Sequence, residues 1–103
     1  MIDKSSALKT IRHKAADLEI GHAIDLRTYK RNRSVVIIRR GPDTFQLEER
    51  GYEANTFEVS SKGLVKILKI LLKREFPRSN KIRLYQLGRY EEGKNDRMQR
   101  KTL

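Results

Sequence analysis

Positions 35–38 read Val-Val-Ile-Ile, four β-branched residues in succession. Branching at Cβ restricts χ1 and suits a pleated strand with neighbours on both sides, so this run is expected to form a central strand of a sheet. It lies inside a strongly basic segment. Residues 27–40 carry Arg27, Lys30, Arg31, Arg33, Arg39 and Arg40, with Tyr29 among them and no carboxylate. A strand anchored in a core would therefore hold two cationic clusters, one at each end. Alternation along it places Arg39 and Arg40 on opposite faces.

The flanking sequence builds a sheet around this strand. Leu8, Ile11, Ala15 and Leu18 recur at helical spacing within residues 5–19, with Ser5 or Ser6 as N-cap and Gly21 as the stop. From residue 22 the period becomes two, with Ile24, Leu26 and Thr28 alternating against Ala23, Asp25 and Arg27. Gly41-Pro42-Asp43 marks a turn, and strands follow at 44–48 and 55–59. Residues 61–75, SKGLVKILKILLKRE, form the clearest helix. Ser60 or Ser61 caps it, and Pro77 ends it because proline has no N–H to donate. KIRLYQLG, residues 81–88, returns as a last strand.

The expected fold is a small single α+β domain over residues 1–88, of order α-β-β-β-β-α-β. An antiparallel sheet carries two helices packed on one face. Residues 89–103 have almost no apolar periodicity and read as a polar, mobile tail.

At 103 residues the chain has room for one core. Its 24 Lys+Arg against 13 Asp+Glu give a formal charge of +11, a field that attracts polyanions. Cysteine is absent, which removes disulfides and thiolate chemistry. No signal-peptide h-region or window of membrane-spanning length is visible, so the chain reads as cytoplasmic.

Helix 61–75 carries Lys62, Lys66, Lys69 and Lys73 at spacings of four, three and four, a line of cations about one turn apart. Such a line can meet successive phosphates, although lysines on a helix face also simply solvate it. GLVKILKILLK resembles a cationic amphipathic peptide, but the sheet needs this helix as a cover, which makes membrane binding the weaker reading. Tyr29 and Tyr85, the latter beside Arg83, offer rings on which an unpaired base could stack. His13 and Asp17 lie one helical turn apart without a third ligand, so no metal site and no cofactor is assigned. Pro42-Asp43 and Glu48-Glu49-Arg50 are too closely spaced for a metal-dependent nuclease motif. No phosphate-binding glycine loop occurs.

The element order and the Ser60-Ser61-Lys62 helix start resemble the arrangement of double-stranded RNA-binding domains. Leu64 to Leu72 replaces the alanine-rich body of their last helix, an extra strand follows, and no family is assigned. The expected function is non-enzymatic binding of RNA or single-stranded DNA, chiefly through the backbone and with low sequence specificity. The expected contact residues are Arg27, Tyr29, Lys30, Arg31, Arg33, Arg39, Arg40, Lys62, Lys66, Lys69, Lys73, Arg83 and Tyr85. A small basic ribonuclease of the toxin–antitoxin type is the alternative. Another is an interaction module for an acidic partner or a homodimer formed through a sheet edge.

Overall fold

A computed structural model describes residues 2–28, 33–51, 54–76 and 81–90. Its elements are β1 (Ile2–Asp3), α1 (Lys4–Ala16), β2 (His22–Arg27), β3 (Ser34–Gly41), β4 (Thr44–Arg50), β5 (Ala54–Ser60), α2 (Ser61–Glu75) and β6 (Lys81–Arg89). All pairings are antiparallel, and the strands lie in the order β1-β6-β2-β3-β4-β5. The α+β class and the expected element order hold, with one two-residue strand added at the N-terminus.

Val35–Ile38 occupy the middle of β3, between β2 and β4, and all four are fully buried. Alternation sends Val35 and Ile37 to one face and Val36 and Ile38 to the other. On the first face both helices close the main core: Ala7, Ile11 and Ala15 of α1 and Leu64, Leu68 and Leu71 of α2 pack with Ile24, Leu26, Val35, Ile37 and Leu47. Each such leucine gains about 1.5–3 kcal/mol from leaving water. On the second face Ala23, Val36, Ile38 and Tyr90 form a small separate cluster with Leu87 beside it. This second cluster explains a departure from the half-buried strand expected at 22–28. Ala23 and Asp25 are buried as fully as Ile24 and Leu26.

The helix of residues 61–75 has the expected bounds, and the Ser60 hydroxyl accepts from the Gly63 N–H. The first helix differs at both ends. Asp3 occupies its N-cap position rather than Ser5 or Ser6, and Ser6 Oγ instead donates to the Asp3 carbonyl. It ends at Ala16, and Gly21 (φ +90°) sits in the turn beyond, where its N–H donates to the Arg39 carbonyl. β6 continues through Arg89, and Tyr90 is buried, because the left-handed Gly88 (φ +69°) lets the chain turn over the sheet. Residues 91–103 lie outside the described ones.

Candidate nucleic-acid interface

The sheet separates the basic segment 27–40 into two groups. Arg27 and Arg33 belong to one end of β2 and β3. Arg39 and Arg40 belong to the other end, about 20 Å away at 3.3 Å per residue. Tyr29, Lys30 and Arg31 lie outside the described residues. Arg39 and Arg40 do project to opposite faces. The Arg39 guanidinium lies over the Phe45 ring, 5.9 Å from its centroid, on the side of the helices. It donates to four backbone carbonyls: Gly41 (3.2 Å), Ala16 (3.1 Å), Leu18 (2.8 Å) and Pro42 (2.7 Å). It ties the C-terminal end of α1 to the β3–β4 hairpin, satisfying carbonyls that a helix end leaves unpaired. Arg40 points away from the helices and donates to Gln46 Oε1 at 3.0 Å. Arg33 approaches Glu75, with Nε 4.0 Å from its carboxylate and Nη1 3.4 Å from its carbonyl.

The face away from the helices brings Arg27, Arg83 and Tyr85 together. Arg83, Arg27, Ser34 and Arg50 are successive register partners across β6, β2, β3 and β4, which forms a row. Carboxylates are interleaved with it. Arg27 Nε bonds Asp25 Oδ2 at 2.6 Å while its guanidinium lies 5.8 Å from the Tyr85 centroid. Arg50 bonds Glu48 at 2.8 Å, and the buried Tyr90 hydroxyl donates to the same Glu48 oxygen at 2.9 Å. Burial pushes the Asp25 carboxyl above its ordinary range against the pull of Arg27 and Arg50, and its Oδ1 has no hydrogen-bond partner among the described residues. This face is a network of mixed sign.

A second mixed-sign network lies under α2. Buried Glu49 receives two 2.8 Å hydrogen bonds from Arg74 and one of 3.1 Å from Asn55. Burial pushes its carboxyl up, but the bonds from Arg74, Glu75 and Asn55 outweigh this and hold it below the usual range. Gly51 leaves the room the network needs, because a Cβ there would press on the Glu75 carboxylate and on Arg33.

The outer face of the helical layer is different. Lys62, Lys66, Lys69 and Lys73 are all exposed along α2, spanning about 16 Å at 1.5 Å per residue. Helix α1 packs beside α2 and exposes Lys9, Arg12, His13 and Lys14. Neither helix contains an acidic residue except Glu75, which is buried. The nearest carboxylate at the start of α2, Asp43, is engaged by the Ser61 hydroxyl and N–H, and those bonds hold it below its ordinary range. Arg12, His13 and Lys62 stand around a groove of about 620 Å³ between the helices. The cations of α1 were not among the residues expected from sequence, although the absence of any carboxylate between Lys4 and Ala16 was there to be read.

Among the described residues no three His, Asp or Glu side chains group as metal ligands, and no helix is long and apolar enough to cross a membrane. Comparison with models of known protein families, with curated proteins and with solved structures finds no match to this chain.

Proposed function

We propose that the chain binds nucleic acid, RNA or single-stranded DNA, through the outer face of its helical layer and without catalysing a reaction. One observation carries this reading. Lys9, Arg12, Lys62, Lys66, Lys69 and Lys73 are exposed on that layer and neither helix carries an exposed carboxylate, whereas Lys14 lines a recess with the exposed Asp17 and Glu19 just beyond the end of α1. A solvated surface ordinarily mixes signs, and like charges along one helix repel. Such a field lowers its energy by meeting a polyanion and releasing the counterions condensed on it. The arginines of the opposite face are engaged with Asp25, Glu48 and Gln46, so the helical layer is preferred as the contact surface and Arg27, Arg40, Arg83 and Tyr85 as a secondary one. Contacts to phosphate from lysine position a strand without reading its bases, which implies low sequence specificity.

The test is a titration of labelled RNA, single-stranded DNA and duplex against the wild type, Lys66→Glu/Lys69→Glu and Arg27→Glu/Arg83→Glu. Affinity for single strands should fall by about tenfold or more in the helix variant, and by less in the sheet variant. Equal losses in the two variants would place the contact elsewhere, and no binding at low salt would end the proposal.

A further inference from the structure

β5 is the last strand of the sheet, and among the described residues only β4 pairs with it. Its outer row of backbone N–H and C=O groups is therefore a template for a further strand. Sheet edges are ordinarily blunted by proline, by lysine, by a bulge or by being very short. β5 has none of these defences. Ala54–Ser60 is seven residues long, contains no proline or lysine, and keeps register with β4 through all seven pairs. Among the described strands longer than two residues, it alone carries no lysine or arginine. The opposite edge differs: β6 has Arg83, Arg89, a left-handed Gly88 and a register shift against β2, and β1 covers its start. In a chain of charge +11, β5 is the strand edge that a second positive molecule approaches at least electrostatic cost.

We propose that β5 pairs with β5 of a second copy of this chain, antiparallel about a two-fold axis through Phe57, so that two sheets become one in a symmetric dimer. Phe57 is the middle residue of the strand, and this register therefore pairs all seven residues. Phe57 meets its own counterpart, Thr56 meets the copy's Glu58, Asn55 the copy's Val59 and Ala54 the copy's Ser60. Glu58, the one charged residue of the strand, thus faces a hydroxyl and not a like charge. Phe57 and Val59 are only half-buried at the margin of the main core; the second strand covers them further and sets the two Phe57 rings side by side. Antiparallel pairing about an axis normal to the sheet keeps both helical layers on the same face. Because α2 follows β5 directly and packs on β5 and β4, the dimer carries two lysine lines on one surface. The pairing itself needs no nucleic acid.

Sedimentation equilibrium on the full chain, without nucleic acid, should give twice the monomer mass of 12.1 kDa. Association should tighten as salt rises, because salt screens the repulsion between two copies of charge +11, whereas binding to a polyanion weakens. Single cysteines read the register, since the chain has none of its own. Thr56→Cys mixed with Glu58→Cys places two exposed positions opposite each other, about 4.5–5.5 Å apart at Cα and within reach of a disulfide. The mixture should oxidise to a covalent dimer several-fold more than either variant alone, whose own cysteines lie about 8 Å apart across the axis. A monomer at every salt concentration would overturn the proposal. So would a mass that grows past the dimer, the mark of β5 joining a different strand head to tail. Equal crosslinking in the mixture and in the single variants would remove the two-fold through Phe57.

Discussion

Arg39 and Leu18, 21 residues apart in sequence, are joined by a 2.8 Å hydrogen bond from Nη1 to the Leu18 carbonyl. With the bonds to Ala16, Gly41 and Pro42, it makes Arg39 the link between the end of α1 and the β3–β4 hairpin. Lysine has the charge but not the planar fork, so it cannot serve these carbonyls together. Arg39→Lys should lower stability by about 1–3 kcal/mol in urea unfolding. A variant as stable as wild type would show that charge alone is what this position supplies.

The helical layer should announce itself in the salt dependence of binding. Each neutralised phosphate on a single strand contributes about 0.7 to the slope of log affinity against log salt, so Lys66→Gln/Lys69→Gln should reduce that slope by about 1.4. An unchanged slope with weaker binding would mean that these lysines act on the fold and not on the strand.

Glu49 sets an acid limit to stability. Its carboxyl is held below the ordinary 4.5, so its contribution is complete above that value and is lost as pH falls through the lower folded value. Glu49→Gln should flatten the acid limb of stability below about pH 4.5. Arg74→Ala leaves the buried carboxylate without its main donor and should cost roughly 2–4 kcal/mol, somewhat less than a wholly buried pair because Arg74 is part-exposed. Chemical denaturation at pH 7 and at pH 4 measures both.

Asp25 works in the opposite direction. Its carboxyl is raised above 3.8 by burial, so the folded protein binds this proton more readily than the unfolded chain, and stability rises as pH falls from the raised value toward 3.8. Asp25→Asn should remove that gain on acidification. If the acid dependence of Asp25→Asn matches wild type, the carboxylate is better solvated than its burial indicates.

Gly51 is required for space. Its backbone does not need the left-handed region, but a methyl group would displace the Glu75 carboxylate and the Arg33 side chain. Gly51→Ala should destabilise by about 1–3 kcal/mol, as overpacking does, and a thermal melt reads it directly.

Much of the architecture was legible from short-range pattern. The four β-branched residues at 35–38 became the central strand, and the Ser60 to Pro77 interval delivered α2 with its bounds intact. The exposed lysine line was equally readable, since helical spacing alone puts Lys62, Lys66, Lys69 and Lys73 on one side of a helix. Arg39 was not readable as a scaffold residue, because two of its four carbonyl partners, Ala16 and Leu18, lie at and just beyond the end of α1 and nothing near position 39 signals them. Asp25 looked like the solvent half of an alternating strand. It is buried on the face where Tyr90 packs over Ala23, Val36 and Ile38. Glu48 and Glu49 drew notice only as a rejected nuclease spacing, yet adjacent positions on β4 send them to opposite faces, each into its own arginine network.

Steric preference and hydrophobic period act over a few residues, and they were enough to set all the elements but β1 and the burial of β3, while composition sets the cationic balance. Which cations are engaged inside the protein and which face solvent depends on how the strands and layers come together. Charges pair across strands and layers, where partners lie tens of residues apart, and a guanidinium buried against carbonyls is chemically the same residue as one that waits for a phosphate.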